Sequence, residues 1–282
     1  MLLGVLLASL LWTTRALRVL RRDAVRLARC RASPGPRLAP VILINSHAAN
    51  DAADLIASLR AQNVPAADIL LAVGGSASER VFHATSHIQV DAVQNSFDFT
   101  ALIALLEHRA AIEGARGSAL QAVFYMHDTA LAGPTFVARL APLFAKRTAR
   151  LVSRAWAPLV HSMNHGVYDV DDLERLRCDI FRFRSFPATA AERARVKITG
   201  FAREDFVFAA LGIDESLTLF ASLRVVADDA APQQKARKVL LLRFPELDLG
   251  KKSAHNVFFP DRLVRPLYGA ARRLYGAARC LC

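Results

Sequence analysis

A short apolar run that stops at a carboxylate is the feature that most constrains this chain. Residues 122–126 read Ala-Val-Phe-Tyr-Met, and His127 and Asp128 follow. The run predicts a buried strand, and the apolar spacing from Phe136 to Phe144, after Gly133-Pro134, predicts a helix. In open α/β sheets, ligands bind beyond the carboxyl ends of the strands, so Asp128 is predicted to reach a ligand. A helix-capping role is the simpler alternative for this acid.

Strand-like and helix-like segments also alternate before this point. The predicted strands are residues 40–44, 68–73 and an extended region around 87–90, and the predicted helices are capped by Asn50 or Asp51 and by Asp98. This alternation favours a three-layer α/β/α fold with a mainly parallel sheet. The sequence contains no G-x-G-x-x-G, phosphate-binding loop or G-x-S-x-G, so the common dinucleotide, ATPase and serine-hydrolase classes have no motif behind them.

The net charge of +12 belongs to the two ends of the chain. Residues 1–40 hold eight arginines against one aspartate, and residues 251–282 hold seven basic residues against one aspartate. The middle then carries 22 basic and 23 acidic residues. This distribution argues against a folded nucleic-acid-binding surface and favours attachment of both ends to an anionic membrane surface.

The amino-terminal segment, residues 1–37, begins apolar and continues as a basic amphipathic stretch. Its first fourteen residues are uncharged and would form a helix of roughly 21 Å, shorter than the hydrocarbon core of about 30 Å. The arginine-rich stretch that follows suits a membrane surface. By the positive-inside tendency, the domain is predicted on the cytoplasmic side. An organellar transit peptide is the alternative.

The carboxy-terminal segment, residues 261–282, contains the sequence Leu-Tyr-Gly-Ala-Ala-Arg twice, starting at Leu267 and Leu274. A period of seven residues places these leucines near one helical face, which predicts a basic surface helix, with a disordered tail as the alternative. The terminal Cys280-Leu-Cys282 resembles the prenylated cysteine pair of vesicle-traffic GTPases, with unmodified thiols as the simpler interpretation.

From residue 38 to about 225, the order of segments resembles the nucleotide-binding half of a GT-A type glycosyltransferase. The resemblance is carried by Val41–Ser46, by the helix entry Asn95-Ser-Phe-Asp98 and by Phe124-Tyr-Met-His-Asp-Thr129, and Ser162–Asp169 is similar to the acceptor-side segment of such enzymes. It implies one GT-A-like domain over residues 38–260, with Asn45, Ser46 and Asp98 at the nucleotide.

The resemblance also implies a divalent metal, Mn²⁺ or Mg²⁺. In that family an Asp-x-Asp at this strand edge holds the ion against the pyrophosphate of a nucleotide sugar. Here Asp128 matches and His127 precedes it, but a threonine stands at the position of the second acid. Some members place a late histidine on the metal and a lysine on the pyrophosphate, which implies such roles for His255 and for Lys251 and Lys252. The alternatives are a hydrogen-bonded edge histidine for His127 and solvated charges for the lysines.

The segment from His161 to Asp172 is predicted to face the acceptor. Asp169 and Asp172 are candidates for the general base that takes the acceptor hydroxyl proton, with Asn164 and His165 orienting the acceptor. Acids at a helix start also complement its dipole, which is the alternative for Asp172. His161 and His165 lack the intervening glutamate of a helical zinc protease, so no zinc is predicted.

The leading hypothesis is a membrane-associated glycosyltransferase with a nucleotide-sugar donor, a divalent metal and an unknown acceptor. The alternative is a catalytically degenerate GT-A-like module that binds its ligand while attached to a membrane. A metal-dependent phosphoesterase built on Asp128, His127 and His47 ranks lowest, because paired metal carboxylates are missing.

Overall fold

The computed structural model describes residues 40–144, 147–153, 165–201, 206–211, 218–227 and 238–254, all within one compact unit that spans Ala39–Cys282. The predicted terminal segments, residues 1–37 and 261–282, lie outside the described residues, as do Asn164 and His255. None of the helices in the described part of the chain has the length and apolar character that crossing a bilayer requires.

Strands and helices alternate through the first half of the chain, and strands dominate its end. The strands are β1 (Ile42–Ser46), β2 (Ile69–Gly74), β3 (Arg80–His83), β4 (Ile88–Ala92), β5 (Ala122–His127), β6 (Ala130–Ala132), β7 (Ala149–Ser153), β8 (Gly166–Asp169), β9 (Thr218–Ala227), β10 (Lys238–Phe244) and β11 (Leu249–Ala254). The helices are α1 (Ala53–Ala61), α2 (Thr100–Glu107), α3 (Arg109–Arg116), α4 (Phe136–Phe144), α5 (Val170–Arg175), α6 (Arg177–Phe181), α7 (Ala190–Phe201) and α8 (Phe206–Leu211).

The strands follow the spatial order β3-β4-β2-β1-β5-β8-β7-β9-β10-β11-β6. Strands β4, β2, β1 and β5 are parallel; Ile42 of β1 pairs with Ile69 of β2 on one side and with Phe124 of β5 on the other. Strands β3 and β8 flank these four in antiparallel orientation. The predicted α/β class is therefore confirmed, with a mainly parallel mixed sheet across these six strands.

Two apolar layers cover the two faces of the central strands. Successive side chains of a strand point to opposite faces. Leu43 and Tyr125 accordingly belong to the cluster that includes α2, whereas Ile44 and Met126 belong to the cluster that includes α1 and α4. Every residue of β1 and β2 is buried, and strands covered on both faces have nearly continuous apolar sequences. This arrangement is compatible with a three-layer α/β/α fold.

The chain around Asp128 differs from the prediction. Strand β5 ends at His127, Asp128 lies in a turn, and β6 intervenes before α4 begins at Phe136. The alternative role of Asp128 as the cap of that helix is therefore wrong. Three residues, Ala130–Ala132, are too few to show a strand period in the sequence, and β6 exists because it pairs with β11.

The predicted side-chain caps are also wrong. A 3-10 turn, Ala49–Ala52, precedes α1, and neither Asn50 nor Asp51 makes a capping bond there. Asp98 lies inside a second 3-10 turn, Phe97–Phe99, and does not cap α2. In both places a 3-10 turn leads directly into the helix. The residue that precedes the helix is therefore not the polar residue that the sequence pattern assigns as its cap.

Candidate functional site

The carboxyl ends of the parallel strands open onto one crevice. A cavity of about 330 Å³ lies there, lined by His47 after β1, Gly75 after β2, Asn95 after β4, and Phe186 and Arg193 from the opposite wall. Ligands of open α/β sheets bind at this end of the strands. A cavity of this size lies at the small end of the range for small-molecule sites.

Two glycines keep the floor of the crevice open. A Cβ at Gly74 would lie 2.8 Å from Cγ2 of Thr100, and Gly75 has a φ of +78°. Glycine avoids both the close approach and the strain of a left-handed backbone. The N–H of Gly75 donates to the carbonyl of Gln94 at 3.1 Å, which fixes the turn after β2 to the loop after β4.

The opposite wall is fixed to that same loop. The N–H of Asn95 donates to the carbonyl of Ser185 at 2.8 Å, and the N–H of Ser185 donates to Oγ of Ser96 at 2.9 Å. Phe186 follows Ser185 and is 61% exposed, although both the N–H and the carbonyl of Ser185 are hydrogen-bonded. An exposed ring on a fixed backbone at a cavity wall is suited to stacking on a planar ligand.

Helix α7 brings positive charge to the crevice. It begins with a capping box: the N–H of Glu192 donates to the Thr189 hydroxyl at 3.2 Å, and the N–H of Thr189 donates to the Glu192 carboxylate at 3.0 Å. Arg193 lines the cavity. Lys197 lies one helical turn further on, on the same face of the helix, and its charge acts on His47. Two cations on one helix face suit an anionic ligand.

The charges of both the cationic helix and Asp128 act on His47. Burial is the largest effect on the pKa of its imidazole and lowers it; the Asp128 charge raises it, the Lys197 charge lowers it, and the net shift is downward. The ring packs edge-on against Phe97, with centroids 4.8 Å apart. The neutral imidazole is therefore the favoured form in the folded crevice.

Asp128 is held at the crevice by its neighbours on β1. The Ser46 hydroxyl lies 2.6 Å from Oδ2 of Asp128 and 2.7 Å from the carbonyl of Ala48, so its single proton serves one of them at a time. The N–H of Asp128 donates to the carbonyl of Asn45 at 3.1 Å. Ser46 is buried whereas Asp128 is partly exposed. The buried hydroxyl therefore orients the carboxylate, which remains accessible to solvent.

Asn45 and Ser46, predicted to bind the nucleotide, are positioning residues in the structure. Each is 1% exposed. Oδ1 of Asn45 accepts from the N–H of Ala101 at 3.1 Å, and its Nδ2 donates to the carbonyl of Phe97 at 3.1 Å. These bonds fix the start of α2 and the carboxylate of Asp128. Contact of either residue with a nucleotide stays a prediction.

His127 lies in a group of polar side chains at the end of β5, as the alternative to metal binding predicts. The Tyr125 hydroxyl donates to the carbonyl of Asp98 at 2.7 Å and lies 3.2 Å from Nε2 of His127, which is itself 3.3 Å from Oδ1 of Asp98. Nε2 of His127 therefore lies within reach of both the tyrosine oxygen and the Asp98 carboxylate. Asp98 is 5% exposed and lies against His127; its contact with a nucleotide stays a prediction.

The side chains near Asp128 offer too few metal ligands on their own, so a bound metal ion would need further ligands from the nucleotide. Within the described part of the chain, three potential metal-ligating side chains lie close together at Glu79, Glu107 and His108; neither Asp128 nor His127 belongs to that group. Mg²⁺ is commonly held by one or two carboxylates together with substrate phosphates, and Asp128 meets that description. Strand β11 pairs Lys251 with Ala130, just after Asp128, and Lys252 with Leu241; His255 lies beyond the described part of β11.

The two acids predicted as general bases lie at the other end of the sheet. Strand β8 is antiparallel to β5, and Asp169 pairs with Ala122 at the amino end of β5. Asp128 follows the opposite end, roughly 20 Å away at 3.3 Å per residue. Asp169 caps α5 by accepting from two backbone N–H groups of its first turn, and Asp172 pairs with Arg175. The expectation that these acids share a crevice with Asp128 is wrong.

His165, predicted to orient the acceptor, is 3% exposed and stacks on Phe244, with ring centroids 6.1 Å apart. It precedes β8 and so lies near the carboxyl end of β5, but its ring is inside the protein. The sequence prediction missed Phe186, Arg193 and Lys197. A local signal was present in the Thr-x-x-Glu capping box that starts α7 and in the four-residue spacing of its two bases.

Comparisons of the chain with protein-family models, with curated proteins and with solved structures found no match.

Proposed function

We propose that the crevice binds a nucleoside diphosphate and that the protein transfers a glycosyl group from a nucleotide-sugar donor to an acceptor hydroxyl. The supporting observation is a cavity at the carboxyl ends of parallel strands that is lined by an exposed ring, Phe186, and a cation, Arg193. An oriented carboxylate, Asp128, follows β5 at the same end of the sheet, and its charge acts on His47 of the cavity wall. The ring, the cation and the carboxylate suit the base, the diphosphate and a phosphate-bound dication, respectively.

The nucleobase is the part of the donor that fits the cavity. A volume of about 330 Å³ accommodates a nucleoside rather than a whole nucleotide sugar. The Phe186 ring offers a stacking face. The Nδ2 atom of Asn95 lies beside Gly75, so its amide can donate to an acceptor atom on the edge of a base. The diphosphate then extends past His47 towards Asp128.

The cations and the carboxylate suit the charge that develops during transfer. In the proposed reaction the bond between the anomeric carbon and the diphosphate oxygen breaks, the acceptor oxygen bonds to that carbon, and the acceptor proton passes to the departing diphosphate. The departing diphosphate gains negative charge, which Arg193 and Lys197 can neutralise from α7. A divalent ion held by Asp128 and the phosphates would supply further Lewis-acid stabilisation.

A binding module without turnover is the second candidate, and one observation favours it. Asp169, the first of the two predicted general bases, lies at the far end of the sheet from Asp128, and Asp172 follows it in α5. A protein of this kind would hold the nucleotide without a base to activate an acceptor. Attachment of either form to an anionic membrane is supported by the charge of the two chain ends.

Titration calorimetry of the full chain with UDP, GDP and ADP, each with and without Mn²⁺, tests the proposal. We expect at least one of these nucleotides to bind and Phe186→Ala to weaken it about tenfold or more, because base stacking contributes roughly 1–3 kcal/mol. The matched control is Phe82→Ala, which removes a partly exposed ring on the edge strand β3. Binding of none of them, or equal binding by the wild type and Phe186→Ala, would contradict the proposal.

A further inference from the structure

We infer that Glu79, Glu107 and His108 form a second metal site, separate from the crevice and independent of the proposed function. One ligand atom from each of these side chains lies within 4.8 Å of the other two. Nε2 of His108 is 3.8 Å from Oε2 of Glu79. Two carboxylates and an imidazole are ligands that suit a borderline dication such as Zn²⁺. We name these three residues the edge cluster.

The imidazole of the edge cluster points to a missing partner. Nε2 of His108 is buried and has no hydrogen-bond partner within the part of the chain that the structure describes. A buried polar nitrogen without a partner is destabilising, and a bound metal ion would remove that cost. The two ligands of one zinc ion lie roughly 3.3 Å apart when bonds of 2.0–2.1 Å meet at a tetrahedral angle. The side chains must therefore close in slightly, which the exposed Glu79 permits.

The backbone holds two of the ligands rigidly. His108 lies at the junction of α2 and α3: its N–H donates to the carbonyl of Ala104 at 3.0 Å, and its carbonyl accepts from the N–H of Ile112 at 2.9 Å. Glu107 is the last residue of α2, where the partial negative charge of the helix end favours a cation. The third ligand comes from the residue directly before edge strand β3. An ion here would tie that strand to both helices.

The surrounding charge leaves the edge cluster negative. Nη2 of Arg184 lies 2.8 Å from Oε1 of Glu107, and its guanidinium also stacks on the Phe181 ring at 4.7 Å. Arg184 therefore balances one of the two carboxylates and leaves the Glu79 charge for a cation. The site is distinct from the crevice, since His108 lies seven residues along α2 from Ala101, which contacts Asn45; this corresponds to about 10 Å of helix.

Calorimetric titration of the chelator-treated full chain with Zn²⁺, supported by the visible absorption of bound Co²⁺, tests this inference. We expect the wild type to bind one ion that His108→Gln and Glu79→Gln bind at least tenfold more weakly. His83→Gln, which changes an exposed histidine of β3, and Asp128→Asn should bind as the wild type does. Cysteine thiols contribute equally to all variants, so the differences isolate the edge cluster.

Equal binding by the wild type and His108→Gln would overturn the inference, because the ion would then be held without the imidazole. Loss of the ion in Asp128→Asn but not in His108→Gln would overturn it too, because the ion would then belong to the crevice. Glu79 is exposed, so Glu79→Gln should melt like the wild type when both are free of metal. This comparison separates loss of the ion from loss of the fold.

Discussion

Strands β5 and β8 are neighbours, and an aspartate stands at the end of each, but the two aspartates have different environments. Asp128 follows β5 into the crevice, where one hydroxyl orients it and its charge stays partly exposed. Asp169 ends β8 at the opposite end of the strands, where its carboxylate accepts hydrogen bonds from two helix N–H groups. The strands are antiparallel, so strand direction decides whether an acid at a strand end meets a ligand or caps a helix.

The largest expected difference between the two aspartates is in turnover. In the presence of Mn²⁺, the purified protein should slowly hydrolyse a nucleotide sugar, with water in place of the acceptor. Asp128→Ala should lower that rate about 100-fold or more, because an electrostatic contact at the reacting centre is lost. Asp169→Ala should leave it nearly unchanged. Product release followed by chromatography measures both rates, and equal rates in wild type and Asp128→Ala would place the chemistry elsewhere.

The cationic helix α7 gives the next largest effect. Arg193→Ala should weaken nucleoside diphosphate binding about tenfold, because a hydrogen bond to a charged group contributes about 1.5–3 kcal/mol and 1.4 kcal/mol is a factor of ten. Arg195→Ala, an exposed arginine on the same helix, is the matched control for overall charge. If both variants lose affinity equally, the charge acts at long range and Arg193 does not contact the diphosphate.

Asp169 should show its role in stability rather than in binding. Asp169→Ala removes a side-chain cap and should lower the free energy of unfolding by about 1 kcal/mol, while Asp128→Ala changes it by less than about 0.5 kcal/mol. Urea denaturation of both variants gives the comparison. An equal loss of stability in the two would mean that Asp128 is as structural as Asp169.

His47 gives the smallest effect, and it depends on pH. Its pKa is lowered from 6.5 in the fold, chiefly by burial, so near and below pH 6.5 the unfolded chain binds a proton that the folded protein resists. Stability should therefore fall as the pH drops from 7.5 through 6.5. His47→Gln should make that part of the profile shallower, while His87, whose pKa is also lowered by burial, keeps part of the slope. Parallel pH profiles for the two proteins would show that His47 titrates alike in both states.

The α/β class was predictable because the central strands are covered on both faces. The apolar runs at Ile42–Ser46, Ile69–Gly74 and Ala122–His127 are long enough to identify a strand without knowing its partners. The direction of β8 and the existence of β6 were not predictable, since both depend on pairing with residues far away in the chain. The wrong placement of Asp169 beside Asp128 follows directly from that missing strand direction.

Some residues of the candidate site were predictable from a local sequence pattern, and others were not. Asp128 was found because a local pattern, a strand followed by an acid, places it at an edge. Phe186 and Arg193 were missed because hydrogen bonds between Asn95 and Ser185 bring their segment to the crevice, and no local pattern encodes that docking. The sequence did not reveal that Asn45 is buried and accepts a hydrogen bond from Ala101, because that contact depends on the packing of α2 against β1.

A crystal structure of the full chain soaked with UDP and Mn²⁺, or with whichever nucleoside diphosphate binds in calorimetry, tests the central claim most directly. The account predicts density for the base against the Phe186 ring and for the diphosphate between Arg193 and Asp128. Asp169 should stay bonded to the first turn of α5. Nucleotide bound at the Asp169 end of the sheet, or an empty crevice in crystals that hold the nucleotide elsewhere, would contradict the account.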